Sequence, residues 1–376
     1  MKTTARANQR HPTLVDIAAL ANVAPMTVSR VINGSGYVSL KMREKVQRII
    51  DKLEYHPNAL ARGLKSQRSH VIGILVPDIL NPFAAELAGS IQEAMLVRGY
   101  TAFLSTTEQS TKREHAALSA FFDHRVAGIA VATVETASGN EALERFTRRG
   151  MPIVVVGRNA APVGIDRVTA DHWQGAYDAV EHLISLGHKR IAYIGGSPRT
   201  AGRLRRFHGF LEAMHAHGLG VPEELIAGPN HESGPGYSKQ ADGYEAMKRL
   251  LSLPHPPTAI FARNDFTALG AMSAARDSGV SIPGDIAIVG FDNVPQSAFT
   301  TPPLTTVAQP TAQQGREAAA MLLDRIEGGA DREQREICLE CQLIVRGSTV
   351  VPAVMPAARD RGQAQGLPAT SDGAHA

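Results

Sequence analysis

The stretch TLVDIAALANVAPMTVSRVIN, residues 13–33, predicts two short helices joined by a tight turn. Thr13, with Asp16 three residues later, resembles a capping box and starts the first helix. Pro25 stands where the second helix begins, a position at which its missing N–H costs nothing. Apolar residues share one face of each helix: Ile17, Ala18 and Ala21, then Val28, Val31 and Ile32. The pattern predicts a helix-turn-helix.

The second of these helices presents a mostly polar face outward. Spacing alone leaves two interpretations equally open, a DNA-binding unit and an ordinary αα-hairpin on a protein surface. In the first, the outward side chains would lie in the major groove of DNA. These side chains belong to Pro25, Met26, Thr27, Ser29, Arg30 and Asn33.

The distribution of charge favours DNA. Residues 1–68 contain twelve Lys+Arg and four Asp+Glu, a balance of +8. Of the chain totals of 39 and 36, this leaves 27 and 32, a balance of −5, for the remainder. A basic N-terminal unit on an acidic body is typical of a module that binds a polyanion. Because the basic residues coincide with the two helices, we expect this unit to bind DNA.

Length and composition describe a multi-domain globular protein. The chain has 376 residues, 43% of them apolar and 20% charged. The first dozen residues lack the apolar core of a signal peptide, and the longest apolar runs, 71–76 and 126–134, are too short to cross a bilayer. We therefore expect a cytoplasmic protein that does not contact a membrane. Cys338 and Cys341 lack the second pair that a zinc site needs, so we interpret them as structural.

The residues that follow divide the chain into four regions. Ser39 is a candidate N-cap for a third helix, from about Leu40 to Leu53, which completes a small all-α domain. A basic segment with Leu60 and Leu64 has too little apolar surface to stabilise a helix alone. The last segment is small, polar and rich in Pro, Ala and Gly, which predicts disorder. The predicted regions are 1–56 for the helix-turn-helix domain, 57–70 for a hinge segment, 71–348 for the body and 349–376 for the tail.

The body alternates predicted strands and helices from Val71 onward. Alternation of this length predicts parallel sheets covered by helices on both faces. The number of units suits two doubly wound subdomains, and the strand RVTAD (167–171) begins the second set. The strand TTVAQP, a helix near 311–327 and a strand near 336–345 are expected to return across both halves. The sequence thus predicts two lobes, with a ligand cleft at the strand carboxyl ends.

In combination, these motifs resemble the lactose-repressor (LacI/GalR) family of bacterial transcription regulators. The resemblance covers about Leu14 to Ser348. It is carried by LVDIAALANVAPMTVSRVIN, VSLKMREKVQRIIDKLEYHPNALARGLKS, GHKRIAYIGG, PTAIFARNDFTALGAM, IPGDIAIVGFDN and PPLTTVAQP. It implies a homodimeric repressor that binds operator DNA and answers to a small molecule, with a two-lobed body like that of periplasmic sugar-binding proteins.

The resemblance assigns roles at the DNA-binding end. It implies that Pro25, Met26 and Arg30 read base edges and that a hinge leucine, Leu64, wedges into the minor groove. Arg30 is the best candidate for bidentate recognition of a guanine. The chain departs from the family pattern at Ala24, where a capping Ser is common, and at Pro25-Met26, which donate no side-chain hydrogen bond. Positions expected near the DNA backbone are Thr27, Ser29, Asn33, Ser39 and Asn58.

The resemblance also implies an effector site in the cleft. It places Arg158, Arg206, Asp265 and Gln309 around the ligand, and Phe83 against a sugar ring. Asn264 and Asp171 are weaker candidates, and Trp173 is a further side chain that could line the cleft. Guanidinium and carboxylate groups that face one another suit sugar hydroxyls, which both donate and accept hydrogen bonds. A sugar or sugar acid is therefore the expected effector.

Two other classes of function remain as alternatives. An enzyme would need a motif that the sequence lacks: the loop GGSPRTAG (195–202) follows a strand but matches neither phosphate-binding pattern, and no H-E-x-x-H or G-x-S-x-G occurs. A transport binding protein would carry a signal peptide and no basic N-terminal unit. We therefore expect a regulator with neither catalytic residues nor a cofactor or metal.

Overall fold

A computed structural model describes residues 12–53, 55, 69–108, 110–132, 137–157, 161–195, 201–228, 240–328 and 333–350. Several predicted features therefore lie outside the described residues: the hinge segment up to Arg68 with Asn58 and Leu64, Arg158, most of the loop GGSPRTAG, and the tail beyond Val350. The described part contains eleven α-helices and twelve strands. It comprises a small helical unit followed by a two-sheet α/β body.

The helical unit consists of three helices around one small core. They are α1 (Leu14–Ala21), α2 (Pro25–Asn33) and α3 (Leu40–Lys52). The apolar faces predicted from the sequence pack together, with Ile32 only partly buried, and Val46 of α3 completes the buried centre. Burying a Val or Ile side chain contributes roughly 1.5–3 kcal/mol, so a core this small stabilises the unit only modestly.

The first lobe is built on a six-stranded parallel sheet, here called sheet A. Its order is β11-β5-β4-β3-β1-β2. Helices cover both faces: α4 and α11 pack on one hydrophobic cluster, and α5 and α6 on the other. The elements are β1 (Val71–Val76), α4 (Pro82–Leu96), β2 (Thr101–Thr106), α5 (Thr111–Asp123), β3 (Ile129–Val131), α6 (Ala137–Arg148), β4 (Ile153–Val156), β5 (Asp166–Ala170), α11 (Thr311–Gly328) and β11 (Glu336–Leu339).

The second lobe repeats this design on sheet B, with order β12-β10-β9-β8-β6-β7. All neighbouring pairs are parallel except β10 and β12, which are antiparallel. Helices α9 and α10 cover one face, and α7 and α8 the other. The elements are α7 (His172–Ser185), β6 (Ile191–Ile194), α8 (Ala201–Ala216), β7 (Ile226–Ala227), α9 (Gln240–Leu251), β8 (Ala259–Ala262), α10 (Asp265–Asp277), β9 (Ala287–Asp292), β10 (Thr305–Ala308) and β12 (Gln342–Ile344).

The chain crosses between the lobes three times. It leaves sheet A after β5, returns after β10 and leaves again after β11. The predicted return of the C-terminal part across both halves is therefore confirmed. Two sequence predictions were wrong in detail: RVTAD closes the first sheet instead of opening the second set, and the strand near 336–345 is divided between the sheets at Glu340–Cys341.

The residues at the predicted end of the body are held against its second lobe. Thr349 is buried, and its hydroxyl lies 2.9 Å from the hydroxyl of Thr305 and 3.0 Å from Nε2 of His182. Its neighbour Ser348 donates a 2.6 Å hydrogen bond to the carbonyl of Ile288. These contacts tie the segment to β9 and β10, which small polar composition alone does not reveal.

No single helix in the described ranges is long and apolar enough to span a membrane. Only α1 and α2 taken together reach the necessary length and composition, and they are bent by 107° at the turn between them.

Candidate functional site

The helix pair at the N-terminus has helix-turn-helix geometry. Helices α1 and α2 meet at 107°, within the range of 90–120° that is usual for this motif. The predicted capping box is present: the Thr13 backbone N–H donates to Oδ2 of Asp16 over 2.7 Å, and the Asp16 N–H donates back to Oγ1 of Thr13. Asn22 ends α1 in the left-handed conformation, which lets the chain turn directly into α2.

Helix α2 begins without a side-chain cap. Ala24 occupies the N-cap, and Pro25 follows at the first helical position. Val28 and Val31 are buried against the neighbouring helices, which fixes the opposite face of α2 toward solvent. Met26 on that face is 55% exposed. An exposed large apolar side chain at the start of such a helix is available for contact with a partner.

The polar side chains of this face are partly ordered by one another. Asn33 donates a hydrogen bond from Nδ2 to Oγ of Ser29 over 3.2 Å. Arg30 is exposed, and its Cδ and Nε lie 3.4 Å from where a Cβ on Gly36 would be placed. The stem of Arg30 thus runs along the turn after α2. Pro25 is exposed as well, whereas Thr27 and Ser29 are half-buried.

Two residues near α3 bear on the predicted set of DNA-contacting residues. Ser39 occupies the N-cap of α3, but its side chain makes no capping hydrogen bond. Its hydroxyl is therefore not committed to the helix end. Tyr37, which the sequence reasoning missed, is 90% exposed in the loop between α2 and α3. An amphipathic ring that is so exposed on a basic helical unit is a candidate for contact with DNA.

The second candidate site lies where the lobes meet. At each of the three crossovers the chain leaves a strand of a parallel sheet at its carboxyl end, because β5, β10 and β11 all run parallel to their neighbours there. The carboxyl edges of the two sheets are therefore brought together. In open α/β sheets this edge is where ligands bind. Side chains that follow these strands form the site.

A buried ion pair lies at the carboxyl edge of sheet B. Nη2 of Arg206 is 3.2 Å from Oδ1 of Asp292, which ends β9. The Arg206 guanidinium also stacks on the ring of Phe291, 3.8 Å from its centroid, and donates from Nη1 to the carbonyl of Arg263 over 2.7 Å. Gln309 donates from Nε2 to Oδ1 of Asp292 over 2.7 Å. This arrangement presents a fixed carboxylate and a fixed guanidinium side by side.

His172 extends the network to another crossover. Its Nε2 lies 2.8 Å from Oε1 of Gln309, and its ring meets the edge of Phe291 at 5.8 Å between centroids. His172 follows β5, and Gln309 follows β10. One hydrogen bond thus joins two of the three connections between the lobes.

Burial controls the charge states in this network. Burial and the positive charge of Arg206 lower the pKa of His172 to about 3. The hydrogen bond with Gln309 raises the pKa, but by less. The imidazole is therefore neutral near pH 7, and since Gln309 offers its carbonyl oxygen, Nε2 of His172 carries the proton. Burial raises the pKa of Asp292, and Arg206 and Gln309 act in the opposite direction.

Asp265, a predicted ligand residue, is held by hydrogen bonds within the second lobe. Its carboxylate is fully buried. Oδ2 accepts the backbone N–H of Val294 over 2.8 Å, and Oδ1 accepts the hydroxyl of Thr306 over 2.5 Å. Each oxygen thus has a partner from the loop or strand beside it, and Asp265 supports the turn that follows β9.

Other predicted ligand residues are helix caps. Asn264 caps α10, where its Oδ1 accepts both the N–H and the hydroxyl of Thr267. Asp171 caps α7 by accepting the N–H of Gln174, and it keeps part of its surface exposed. Phe83, at the start of α4, is half-buried against the core of the first lobe. Trp173 donates from Nε1 to Glu212 over 2.9 Å.

The structure therefore brings together only part of the predicted set. Arg206 and Gln309 meet in one network, while Asp292 and His172 belong to it and were missed. The missed residues carried a usable signal, since each stands at the carboxyl end of a strand or within two residues after it. Among the described residues, no group of His, Cys, Asp or Glu side chains could hold a metal ion.

Comparison with known proteins identifies relatives over both regions. Residues 13–58 match the family model described as bacterial regulatory proteins, lacI family. Residues 180–349 match the model of a periplasmic binding protein-like domain. The HTH-type transcriptional regulator DegA of Bacillus subtilis (strain 168) is 37% identical over 338 residues, which cover 90% of this chain and 98% of DegA.

Solved structures extend this similarity to three dimensions. The lac repressor dimer bound to operator and the anti-inducer ONPF matches with a TM-score of 0.80 at 27% identity, covering 91% of this chain and 100% of that chain. The complex of the transcriptional regulator CelR with cellobiose matches with a TM-score of 0.66 at 32% identity, covering 90% and 99%.

Proposed function

Because the chain belongs to the lacI family of bacterial regulatory proteins, we propose that it represses transcription as a homodimer bound to a palindromic operator. Membership makes it a DNA-binding transcriptional regulator and not an enzyme. A small molecule in the interlobe cleft sets its affinity for the operator. The observation that carries this proposal is the presence in one chain of a helix-turn-helix with an exposed outer face and a buried Arg206–Asp292 pair at the lobe junction.

Operator recognition is assigned to the outer face of α2. Arg30 is exposed and has the fork of donors that matches O6 and N7 of guanine. Pro25 and Met26 donate no side-chain hydrogen bond, so they contact bases through apolar surface, for example a thymine methyl group. Backbone contacts are assigned to Thr27, Ser29, Asn33 and Ser39. Asn58 and the wedge leucine Leu64 are assigned by resemblance alone.

Exposed apolar side chains support the dimer. Strand β2 forms one edge of sheet A, and Phe103 and Leu104 on it are 47% and 41% exposed. On the second lobe, a groove of about 1010 Å³ beside α10 has Phe299, 87% exposed, in its lining. An unpaired sheet edge and an exposed apolar groove are typical of surfaces that a partner covers. We propose that a second copy covers both, in a twofold arrangement.

The effector is assigned to the cleft network of Arg206, Asp292 and Gln309, with His172 behind them. Charged donors and acceptors held in fixed positions suit the hydroxyl groups of a sugar or sugar derivative. The similarity to a cellobiose complex supports this chemistry. Phe83, at the opposite lobe, is assigned to the apolar face of the ring. Asp171 and Arg158 complete the candidate set, whereas Asn264 and Asp265 act through the caps and turns that they hold.

Titration of the purified chain with random duplex DNA at several salt concentrations tests the DNA-binding part. We expect binding at low salt that weakens steeply as salt rises, because displaced counterions dominate the affinity. A transport binding protein would show no such binding. Absence of salt-dependent binding would contradict the assignment of residues 13–58 to DNA.

A thermal-shift screen of sugars and sugar acids tests the effector part. A ligand at 100 times its Kd stabilises the folded state by about 2.7 kcal/mol, which gives a measurable rise in Tm. We expect Arg206→Ala to lose this rise, and Arg249→Ala, an exposed arginine of α9, to keep it. An unaffected rise in Arg206→Ala would place the ligand elsewhere.

A further inference from the structure

Arg263 lies at the carboxyl edge of sheet B, directly after β8. Its backbone N–H donates to the carbonyl of Ile194 at the end of β6, and its own carbonyl accepts from Arg206. The next residue, Asn264, caps α10. Arg263 thus stands between two strand ends and a helix start, in the part of the lobe that faces the cleft.

The side chain of Arg263 has no polar partner among the described residues. Only 8% of the residue is exposed, yet its side chain makes no hydrogen bond or ion pair with any residue that the structure describes. The positive charge of Arg263 acts through space on Asp292, where it lowers the pKa and favours the ionised carboxylate. That carboxylate is already bound by Arg206 and Gln309, both on Oδ1.

Charges at this edge of the described structure do not balance. Arg206 and Arg263 contribute two positive charges, and Asp292 contributes one negative charge. Asp265 adds none near pH 7, since burial raises its pKa to about 8, and His172 is neutral. Asp292 therefore faces two positive charges, and Arg263 has no carboxylate of its own among these groups.

Two physical effects make this position unfavourable for a cation by itself. A charge removed from water is costly unless it is paired. Arg263 also stands just before the N-terminus of α10, where the helix dipole disfavours positive charge and favours an anion. Both effects turn favourable when a negative group binds at this position.

We propose that Arg263 binds an anionic group of the effector, a carboxylate or a phosphate, so that the ligand is an acidic sugar derivative and not a neutral sugar. This rests on the proposed effector function of the cleft. The planar fork of a guanidinium matches both anions in bidentate geometry. A neutral hydroxyl would accept one hydrogen bond and would leave the buried charge uncompensated.

The first test uses inorganic phosphate as the probe and thermal unfolding of the full chain at constant ionic strength. We expect phosphate to raise the Tm of the wild type more than that of Arg263→Met, and Arg263→Met to have the higher Tm when phosphate is replaced by chloride. Arg205→Met, an exposed arginine of α8, is the matched control and should keep the wild-type response. Operator binding by Arg263→Met verifies that the variant is folded.

Two results would overturn the proposal. One is a phosphate response of equal size in the wild type and in Arg263→Met, including no response in either. The other is a lower Tm of Arg263→Met than of the wild type in chloride, which would mean that the guanidinium has a structural partner.

The second test separates the two anions and the two proposals. Glucose is compared with glucuronate and glucose 6-phosphate, and ribose with ribose 5-phosphate, by thermal shift. We expect only carboxylate-bearing or only phosphate-bearing members to stabilise the wild type, and Arg263→Met to lose that response. If only neutral sugars stabilise both proteins equally, Arg263 is not an anion site, although the effector function stands. If Arg206→Ala responds like the wild type, the cleft itself is excluded.

Discussion

The carboxylate of Asp292 is presented by a strained turn. Asp292 and the following Asn293 have φ angles of 112° and 54°, a region that costs a residue with a side chain about 1–3 kcal/mol. Asp265 holds this turn through the Val294 N–H, and Thr306 holds it through the Asn293 N–H. Such strain persists only where surrounding contacts fix it, so Asp265 positions the carboxylate of Asp292.

The same burial makes stability depend on pH. Burial, and then the negative charge of Asp292, raise the pKa of Asp265 to about 8. The folded chain keeps this proton up to about pH 8, whereas the unfolded chain releases it near pH 4. The contribution is therefore fully present below pH 4 and is lost as the pH rises toward 8. We expect wild type to lose about 1 kcal/mol per pH unit relative to Asp265→Asn between pH 6 and pH 7, measured by urea unfolding. A difference that does not change with pH would contradict this.

Arg30 is expected to carry sequence discrimination. Arg30→Ala should weaken binding to a selected operator by about 1–3 kcal/mol and affect random duplex much less, because a bidentate contact to a base is lost. Fluorescence anisotropy with both DNAs measures the ratio. Arg48→Ala is the control, since this exposed side chain on α3 donates to the Glu44 carbonyl in its own helix and to no other residue that the structure describes. An operator-to-random ratio that is unchanged in Arg30→Ala would remove Arg30 from the readout.

Helix caps explain why individual ligand residues were hard to predict from sequence. Asn and Asp at the carboxyl end of a strand are suited both to cap the next helix and to bind a ligand. Asn264 and Asp171 cap the helices that follow them, while Asp292 forms an ion pair with Arg206. The residue types are the same, and only the direction of the side chain distinguishes them. Arg206 and Gln309 were predicted because the family resemblance supplied that direction.

Whole helices and strands were predicted more securely. The capping box and Pro25 start α1 and α2 as expected, and the βα alternation gives two covered sheets. The assignment of strands to sheets failed at the crossovers, where the alternation of strands and helices does not show which sheet a strand joins. Strand β5 and strand β11 each end at a crossover, and no local feature shows that the chain changes lobe there. Long-range pairing, such as Asp166–Arg325, decides that assignment.

A buried charge cluster ties α11 to sheet A. Asp166 at the start of β5 is fully buried and lies 2.6 Å from Nη2 of Arg325 and 2.9 Å from Nη2 of Arg335. Burial acts to raise its pKa, but hydrogen bonds from the two arginines bring the pKa below its ordinary value. The C-terminal elements are therefore fixed to the first lobe by two ion pairs that share the carboxylate of Asp166.

Removal of that carboxylate should destabilise the body strongly. Asp166→Ala leaves two arginines without their shared partner, and we expect the free energy of unfolding to fall by about 3–5 kcal/mol. The control is Glu327→Ala, on the same helix as Arg325. This substitution removes an exposed ion pair with Arg98 and should cost less than about 1 kcal/mol. Urea unfolding at pH 7 compares them. Equal losses would show that the buried cluster contributes no more than a surface pair.

Across the molecule, the cleft network is connected to the joints between the lobes. His172 and Gln309 stand at two different crossovers, and the carboxylate that binds Arg206 also accepts from Gln309. A ligand that engages Asp292 and Arg206 therefore acts on groups that are fixed to both connections. We infer that the effector biases the relative position of the lobes, which is the two-state element that coupling to DNA requires.

Coupling between the sites is reciprocal, so the factor by which the effector changes operator affinity must equal the factor by which the operator changes effector affinity. A coupling of about 1–3 kcal/mol corresponds to 5–150-fold. Asp292→Asn keeps an acceptor for Gln309 but removes the charge, so we expect normal operator binding with both factors near one. Glu212→Ala, on the same helix as Arg206 but bonded to Trp173, should keep both factors. Anisotropy with and without effector, and calorimetry with and without operator, measure them. A full response in Asp292→Asn would mean that the lobes are moved by contacts other than this carboxylate.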